Sequence, residues 1–433
     1  MDSLPLGAPL ASVIQTLLFW RWPHRYLEEC RARYGCRFTI YPVGAPPMVL
    51  MSDPSDIRAI VTAPADTLHP GAGAAVIAPL VGEQSFMLIE EEQHMCGRRA
   101  IMPAFHHKLI AQHAEMVSEV VARGVGTWPV GRRFAIHPHL RALTLRVILR
   151  TIFRRADRRV AELHERLLAM LSVTASLSLQ EPQLRRLPGW RGVWKLLLSE
   201  RAEVDRLMLG LIRDEAHASA RASGILAMLL GAENPDGSPM STRQIRDNLV
   251  SVILAGHETT AAELAWAFQL LAHNPKVLAR LTEEIDSDGG EEYLTATVRE
   301  VLRHRPVFLF TIPRAVKRPI EVGGWTYRPP AQLLGCIYLA HHDPELYPEP
   351  HEFRPERFLG SSPSTFAWLP WGGGRKRCPG LHLATLEMKT VLRTVLETMT
   401  VRPAAREIEH PRWRSVIVTP HAGSRVVLER RRR

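Results

Sequence analysis

Residues 371–380 read Trp-Gly-Gly-Gly-Arg-Lys-Arg-Cys-Pro-Gly, and this stretch is the most informative about the fold. A single cysteine, Cys378, follows a glycine-rich, basic loop and precedes the apolar helical pattern of residues 381–396. The glycines let the backbone pass close to a large flat group. The helix start and the flanking cations favour the thiolate form of the cysteine. A lone cysteine is more often a small buried apolar residue, so other motifs have to support this interpretation.

A thiolate in such a loop suits a soft metal, and a single sulfur ligand beside a flat cofactor indicates haem iron. The other four cysteines, at positions 30, 36, 96 and 336, are scattered and form no Cys-x-x-Cys pair. Neither a disulfide framework nor a structural zinc site is therefore predicted. This cysteine usage is typical of a reducing compartment, and a cytoplasmic protein is expected.

The composition predicts a globular protein with a large core. Of 433 residues, 46% are hydrophobic and 23% are charged. The net charge of +11 favours an acidic partner, but no basic helix interleaved with aromatic residues is found, so nucleic acid is not an expected partner. The apolar stretch at residues 11–20 is too short to span a bilayer, so no transmembrane anchor is predicted. We expect it to pack on the protein rather than lie on a membrane surface.

The patterns along the chain predict a mainly α-helical protein with small β-sheets (α+β), formed as a single domain over residues 1–433. Strand signals are denser in residues 1–65, and helical periodicity dominates the remainder. The longest helix is predicted to have Thr242 as its cap and to end before Pro275. It exceeds the usual globular helix by more than twofold and is expected to cross the core. Residues 416–419 and 424–428 predict a final β-hairpin.

The predicted long helix contains a polar motif, Ala-Gly-His-Glu-Thr-Thr, at residues 255–260. A glycine inside a helix costs about 1 kcal/mol relative to alanine. Two consecutive threonines can bond back to helix carbonyls, and a carboxylate in a core-crossing helix is costly unless it has a use. These features favour a helix that is locally opened to admit a ligand or water, and a tolerated polar kink is the alternative.

Two further pairs of residues have spacings that place them on one helix face. Glu300 and Arg303 are three residues apart with opposite charges, and Arg357 lies in a proline-rich loop further along the chain. A buried Glu300 shared between two guanidinium groups would pin that loop to the helix, whereas an exposed pair would be ordinary surface decoration. His94 and Arg98 are four residues apart and can either bind an anionic group or lie on a solvated face.

Together these motifs resemble those of the cytochrome P450 family of haem-thiolate monooxygenases, in the family's order and over nearly the whole chain. The resemblance implies the family's fold, with haem b between the long central helix and the helix that follows the cysteine loop. Cys378 is similar to the axial thiolate ligand. The residues that resemble the family's other haem-binding positions are His94, Arg98, Ala255, Gly256, Arg314, Trp371, Gly372, Lys376 and Gly380, and Gly374 is similar to a glycine of the cysteine-loop signature.

The resemblance also implies roles for the polar residues of the helices. Glu258 and Thr259 are similar to the family's catalytic pair, which supplies the protons needed to cleave the co-substrate O2. Glu300, Arg303 and Arg357 are similar to its structural cluster. Two residues of the cysteine loop depart from the family's pattern. The indole of the first residue of the loop replaces the usual phenylalanine, and a lysine point charge at position 376 replaces the usual arginine or histidine.

The resemblance implies that one oxygen atom of O2 is inserted into a lipophilic small molecule, by hydroxylation or epoxidation, in secondary metabolism. No flavin or nicotinamide domain is recognised, so we expect electrons from an acidic ferredoxin and its NAD(P)H-dependent reductase. The basic residues 375–377 would steer the ferredoxin. The expected substrate contacts are Val252, Ala255, Val307, Phe308, Leu309, Phe310, Ile417 and Val418.

Three alternatives differ in the chemistry they give to Cys378. A peroxide-driven haem enzyme has less need of the Glu258–Thr259 pair, and a haem-binding protein without turnover has none. In a third alternative, Cys378 and His382 belong to a non-haem metal site, because they are four residues apart on one helix face. That site lacks further ligands at suitable spacing.

Overall fold

The described chain is mainly helical, as the periodicity of the sequence predicts. A computed structural model describes residues 4–70, 77–89, 91–173, 188–217, 224–287, 290–361 and 364–431. Its α-helices are α1 Ser12–Arg21, α2 Pro23–Tyr34, α3 Pro54–Thr62, α4 Ala78–Val81, α5 Glu91–Ile101, α6 His107–Val125, α7 His137–Phe153, α8 Arg158–Val173, α9 Pro188–His217, α10 Ile225–Leu230, α11 Thr242–His273, α12 Pro275–Asp286, α13 Glu292–His304, α14 Ile337–His341 and α15 Leu381–Thr398.

Short strands form four small sheets beside the helices. The strands are β1 Arg37–Ile40, β2 Met48–Met51, β3 Leu68–His69, β4 Arg133–Ala135, β5 Arg314–Val316, β6 Ile320–Val322, β7 Trp325–Tyr327, β8 Gln332–Gly335, β9 Met399–Pro403, β10 Pro411–Arg414, β11 Ile417–Pro420 and β12 Arg425–Arg430. The largest sheet has the order β1-β2-β8-β5-β3, and a second has the order β4-β12-β9. β6 pairs with β7, and β10 pairs with β11.

Helix α11 crosses the core, and its burial explains its length. It has 32 residues, and most of them are buried around its whole circumference, chiefly against α7. A helix that is apolar all round is stable only inside the protein. The predicted N-cap, Thr242, is wrong by one residue. Ser241 is the cap, because its hydroxyl accepts from Gln244 N at 3.2 Å and its own backbone N donates to Gln244 Oε1 at 2.7 Å.

The predicted C-terminal hairpin is wrong in its pairing. β11 pairs with β10 around Ser415, whose φ is 55°, and β12 pairs with β4 and β9 in another sheet. The carboxylate of Glu409 provides the reason. It accepts from Ala422 N at 2.7 Å and from Arg425 N at 2.7 Å, and so directs the chain after β11 away from it. The turn residues between β11 and β12 indicate that the chain changes direction there. They do not indicate with which strand β11 or β12 pairs.

The N-terminal helix α1 packs on the protein through one side only. Gln15 and Phe19 are buried, whereas Val13, Ile14 and Leu17 are exposed. The expectation that residues 11–20 pack on the protein therefore holds for half of their surface. Among the residues that the structure describes, no helix is both long enough and apolar enough to cross a membrane.

Candidate active site

The cysteine loop has a backbone that only glycine accommodates at two points. Gly372 and Gly374 both have φ of 64°. A Cβ atom on Gly374 would also overlap the carbonyl oxygen of Val61 on α3. Cys378 N donates to the carbonyl of Trp371 at 2.9 Å, which closes the loop just before α15. The glycines therefore hold the cysteine at a fixed place between α3 and α15.

The thiol of Cys378 faces a cavity of about 590 Å³ between the cysteine loop and α11. Burial raises the pKa of Cys378, although the backbone N–H of Gly380 and the charges of Arg98 and Arg377 act to lower it. From the sequence, the helix start and the flanking cations were expected to favour the thiolate form of Cys378. This expectation is wrong for the protein without a bound metal, because burial raises the pKa by more than these groups lower it. Coordination to a metal removes the thiol proton outright.

A cationic cluster lies at one end of this cavity. His94 Nδ1 lies 2.6 Å from the carbonyl of Phe86, and its buried Nε2 has no hydrogen-bond partner in the described structure. Lys376 Nζ lies 3.2 Å from the His94 ring and donates to the carbonyl of Ile89 at 3.4 Å. Burial and then the charge of Lys376 lower the pKa of His94 to about 4. Arg98 also lines this end, and burial lowers the pKa of its guanidinium.

This arrangement fits the haem implied by the sequence. The buried Nε2 of His94 has no hydrogen-bond partner in the described structure, and the charges of Lys376 and Arg98 act on its ring. A carboxylate placed there would be favoured, and haem b carries two. A thiol lies on the wall of the same cavity. The predicted cofactor-binding residues that line the cavity are His94, Arg98, Ala255, Gly256, Trp371, Gly372, Lys376 and Gly380.

Arg314 is buried at the start of β5, where its Nη2 donates to the carbonyl of Val61 at 3.2 Å. Because the same carbonyl lies against Gly374, this contact supports the cysteine loop. Arg314 is not among the residues that line the cavity, and its contact with haem stays a prediction.

Helix α11 forms the opposite wall and remains a continuous α-helix at the polar motif. The expected local opening is absent from this described segment, since residues 255–260 are all helical. Thr259 Oγ1 instead donates to the carbonyl of Ala255 at 2.7 Å, which leaves the hydroxyl lone pairs free to accept. Ala255 is exposed although it lies midway along a core helix, because the cavity opens beside it. Gly256 allows close packing, since a Cβ atom there would lie 3.2 Å from Ile148 Cδ1 on α7.

Glu258 is held by two arginines that the sequence analysis did not identify. Its Oε2 accepts from Arg141 Nε on α7 at 2.5 Å, and its Oε1 accepts from Arg414 Nε on β10 at 2.7 Å. Burial alone would raise the pKa of Glu258. The neighbouring His257 ring, whose Nε2 lies 3.4 Å from Glu258 Oε2, and the charges of Arg141 and Arg414 outweigh burial and hold the pKa well below its ordinary value. Glu258 is therefore ionised at neutral pH.

Two other carboxyl groups beside the cavity were also missed. Glu263, four residues after Thr259, accepts from Val307 N at 3.1 Å through one oxygen. In the described structure, its other oxygen and both oxygens of Glu387 on α15 have no hydrogen-bond partner. Burial raises the pKa of both groups well above the ordinary value. The spacing of four from Thr259 could have placed Glu263 on the same helix face, but nothing in the sequence marks Glu387.

The predicted substrate contacts divide between the cavity and the core. Those that line the cavity are Val252, Ala255, Val307, Phe308, Phe310 and Ile417. Leu309 and Val418 do not line it. They lie almost fully buried in a separate cluster with Phe19 and Tyr26. Adjacent residues of an extended segment point to opposite sides, so Ile417 reaches the cavity while Val418 faces away.

The predicted structural cluster forms, and its core is fully buried. Glu300 accepts from Arg303 Nε at 2.7 Å, from Arg357 Nε at 3.1 Å and from Arg354 N at 2.8 Å. Arg303 also donates to the carbonyls of His341 and Pro350, each at 2.8 Å. The side chains of Glu300 and Arg303 are 0% exposed. The cluster therefore ties α13 to the irregular segment that leads to the cysteine loop.

The non-haem alternative finds no support in the described residues. No group of three or more His, Cys, Asp or Glu side chains there could hold a metal ion. Arg375 and Arg377 are exposed beside the cysteine loop, on the side away from the cavity lining. The loop thus presents a sulfur atom to the cavity and positive charge to solvent.

Comparisons with known proteins agree with this geometry. A family model described as Cytochrome P450 matches residues 4–426. The chain is 34% identical over 434 residues to the putative cytochrome P450 135B1 of Mycobacterium tuberculosis, covering 98% of this chain and 91% of that protein. It is 35% identical over 401 residues to the putative cytochrome P450 137 of the same species, covering 91% and 83%.

Solved structures share the fold. One described as retinoic acid bound cyanobacterial CYP120A1 superposes with a TM-score of 0.86 at 20% identity, over 100% of both chains. A cytochrome P450DA heme domain superposes with a TM-score of 0.84 at 20% identity, over 100% of this chain and 98% of that one. At this level of identity the likeness concerns the fold alone.

Proposed function

The chain belongs to the cytochrome P450 family of haem-dependent monooxygenases, and we propose that it inserts one oxygen atom of O2 into a lipophilic small molecule. The cofactor is haem b and the co-substrate is O2. When bound, haem supplies the iron at which O2 is activated. The proposed reaction is a hydroxylation or an epoxidation in secondary metabolism. The protein is proposed to be cytoplasmic.

The residues proposed to hold haem are those of the cavity wall. Cys378 would ligate the iron, and His94, Arg98 and Lys376 would pair with the carboxylates. An anion placed there would favour the charged form of His94 and so raise its pKa. Lysine gives a point charge without the guanidinium fork, so its contribution is mainly electrostatic.

The observation that carries the proposal of a lipophilic substrate is the lining of the same cavity. Beyond the cationic end it is bounded mainly by apolar side chains such as Phe308, Phe310 and Ile417. Such a site binds chiefly by removing apolar surface from water. Polar groups that could orient a substrate are few, and Thr259 is the one best placed on the central helix. We therefore expect shape and apolar area to select the substrate.

Protons would reach the cavity along α11. Thr259 donates its hydroxyl hydrogen to Ala255 O, so its lone pairs can accept a hydrogen bond from a group in the cavity. Glu258, the next residue, lies between Arg141 and the partly exposed Arg414, which connects the carboxylate to the surface. We propose that Thr259 acts as an oriented hydrogen-bond acceptor and that the charged Glu258 relays protons between solvent and the cavity.

The proposal is tested by the origin of the oxygen atom in the product. A screen for ligand-induced high-spin shifts of the haem spectrum selects a lipophilic ligand. The purified protein is then supplied with a ferredoxin, its reductase, NADPH and isotopically labelled O2. A product with one labelled oxygen atom is expected. Label absent from the product, or turnover that requires added peroxide, would favour the peroxide-driven alternative. A complete lack of turnover with every bound ligand would favour haem binding without catalysis.

Thr259 offers a second test with a conservative control. In Thr259→Ala we expect most reducing equivalents to be released as hydrogen peroxide, because the acceptor hydroxyl is lost while the cavity remains. A tenfold or larger fall in product per NADPH is expected, since positioned proton transfer contributes about 10²–10⁴. Thr259→Ser keeps the hydroxyl and should restore much of the coupling. Equal coupling in all three proteins would remove Thr259 from the mechanism.

Electrons are proposed to come from an acidic ferredoxin that docks on Arg375 and Arg377. Both are exposed beside Cys378, and the chain has a net charge of +11. Electron transfer should slow steeply with added salt. Arg375→Gln with Arg377→Gln should slow it further, whereas Arg132→Gln with Arg406→Gln, at other exposed positions, should not. Rates that are independent of salt would contradict this docking.

A further inference from the structure

Glu263 is a buried carboxyl group beside the cavity for which haem binding and proton delivery provide no role. It lies on α11 four residues after Thr259, so the two side chains share one helix face about 6 Å apart along the axis. Only 5% of Glu263 is exposed, yet it belongs to the residues that line the cavity. A buried carboxyl group is costly unless it is hydrogen-bonded, so its contacts indicate what a molecule in the cavity has to supply.

The two oxygens of Glu263 differ in their hydrogen bonding. Oε1 accepts from the backbone N of Val307 at 3.1 Å, whereas Oε2 has no hydrogen-bond partner in the described structure. Val307 and Phe308 also line the cavity, so this bond fixes the carboxyl group at the cavity wall. Burial raises the pKa of Glu263 well above its ordinary value and outweighs the bond from Val307 N. Among the described residues, no charged side chain contributes to this shift.

The protonated carboxyl group has a defined donor and a defined acceptor. A neutral carboxylic acid donates through the oxygen that carries the proton and accepts through the other. Because Val307 N already donates to Oε1, the proton belongs on Oε2. Oε2 is then a neutral donor without an acceptor in the described structure, and a buried donor left unpaired is unfavourable. Since Glu263 lines the cavity, a molecule bound there can supply the acceptor.

We propose that Glu263 anchors the substrate by donating a hydrogen bond from Oε2 to an uncharged oxygen of a carbonyl or hydroxyl group. The substrate class is then a lipophilic molecule that carries a neutral oxygen function. Apolar side chains such as Phe308 and Ile417 would contact the remainder of the molecule. The inference deepens the proposed function and rests on its assignment of the cavity to the substrate.

The surroundings of Glu258 explain why a cationic substrate is not expected at Glu263. Glu258 is ionised with Arg141 and Arg414 as its partners. An ammonium group would have to form such an ion pair with Glu263 in apolar surroundings, and the loss of water from both charges often exceeds their attraction. A neutral acceptor leaves the proton on Oε2 and separates no charge. The protonated carboxyl group therefore favours a carbonyl or hydroxyl group over an ammonium group.

The test measures binding of cyclooctane, cyclooctanone and cyclooctyltrimethylammonium to the haem-loaded protein by equilibrium dialysis. The ketone preference is the dissociation constant of cyclooctane divided by that of cyclooctanone. Comparing this ratio between proteins cancels the different hydration of the two ligands. Glu263→Met keeps the length of the side chain without a donor, so its ketone preference should be about tenfold lower than that of the wild type. Glu263→Gln keeps a donor and an acceptor for Val307 N and should retain most of the preference.

Glu387 provides a matched control on the opposite wall. It is also a buried carboxyl group that lines the cavity, and burial raises its pKa. It lies on α15, the helix that follows Cys378, so bound haem would separate it from α11. Glu387→Gln should therefore leave the ketone preference at the wild-type value. The spectrum of the reduced carbon monoxide complex shows whether each variant keeps its haem site.

Infrared spectroscopy observes the proposed hydrogen bond directly. The spectrum of Glu263→Gln is subtracted from that of the wild type at neutral pH, which isolates the Glu263 carboxyl band. A band of the protonated acid is expected without ligand. Cyclooctanone should shift this band because it accepts the hydrogen bond from Oε2, whereas cyclooctane should shift it much less.

Three results would overturn the proposal. The first is a carboxyl band that is absent at neutral pH or is unchanged by cyclooctanone. The second is an equal ketone preference in the wild type and Glu263→Met, or an equal loss of that preference in Glu387→Gln. The third is cyclooctyltrimethylammonium binding more tightly than cyclooctanone in the wild type but not in Glu263→Gln, which would assign the site to a cation. None of these measurements requires turnover, so failure of the monooxygenase proposal would leave the test intact.

Discussion

Replacing Arg414 should change the ionisation of Glu258, whose pKa is held well below its ordinary value. In the native structure Arg414 Nε donates to Glu258 Oε1 at 2.7 Å, while Arg141 holds the other oxygen. Arg414→Gln removes one of the two positive charges and keeps a hydrogen-bond donor. The carboxylate then remains buried with a single guanidinium, so its charged form is less stabilised.

The size of this effect follows from Coulomb's law. Two unit charges about 4 Å apart attract by about 4 kcal/mol at an effective dielectric constant of about 20. Since about 1.36 kcal/mol corresponds to one pH unit, the ceiling for losing one arginine is about three pH units. The side chain of Arg414 is 26% exposed, so water screens part of this attraction. We therefore expect the pKa of Glu258 to rise by about one to three pH units.

The rise can be measured by infrared titration of the protonated carboxyl band. The spectrum of Glu258→Gln is subtracted to isolate this one group, and each protein is titrated from about pH 8 to pH 4. The wild type should show no protonation of Glu258 in this range. Arg414→Gln should begin to protonate at its acid end, and Arg414→Lys should titrate between the two because it keeps the charge without the fork. Identical titrations of wild type and Arg414→Gln would refute the electrostatic argument.

Cys378→Ser should abolish the thiolate-type spectrum of the reduced carbon monoxide complex, whereas Cys96→Ser should leave it unchanged; a retained spectrum would exclude Cys378 as the ligand. Arg357→Ala should lower the free energy of unfolding in urea by about 1.5–3 kcal/mol, because the buried carboxylate of Glu300 keeps Arg303 but loses one charged hydrogen-bond donor; a loss below about 1 kcal/mol would contradict this. Burial and then the charge of Arg303 lower the pKa of His341 from 6.5 to about 3. The unfolded chain therefore takes up this proton first, and the free energy of unfolding should fall as the pH decreases below about 6.5. His341→Gln should flatten that dependence, and an unchanged slope would show that His341 does not cause it.

The sequence predicts the parts of the site that rest on local signals. The cysteine loop could be recognised because the glycines, the cations and Cys378 lie within ten residues of one another. The length of α11 follows from its apolar pattern and its terminal proline. The Glu300 cluster could also be predicted, because Glu300 and Arg303 share one helix face and Arg357 lies in a recognisable loop.

The remaining parts depend on contacts between distant segments. Arg141 and Arg414 meet Glu258 across 117 and 156 residues, and neither lies in a distinctive pattern. The partner of β11 could not be predicted either, because strand pairing depends on where Glu409 directs the following turn. The side to which Val418 points could not be predicted because the strand register decides it. The direction of Leu309 could not be predicted because its segment forms no regular strand. Sequence patterns thus identify the motif residues. Tertiary contacts determine the ionisation state of these residues and the side to which their side chains point.

Three carboxyl groups around one cavity are held in opposite states by their surroundings. Glu258 is ionised because His257 and the two arginines outweigh its burial. Glu263 and Glu387 are instead favoured in the protonated form, because burial outweighs the single hydrogen bond from Val307 N to Glu263 and is the only cause of the shift for Glu387. Environments that push neighbouring pKa values apart separate proton donors from proton acceptors. Thr259 lies between an ionised neighbour and a protonated one on the same helix. A proton that leaves Glu263 would create a buried unpaired charge, which is costly, while a proton that reaches Glu258 must displace an arginine. Proton supply in this chain should therefore be governed by the two arginines that hold Glu258.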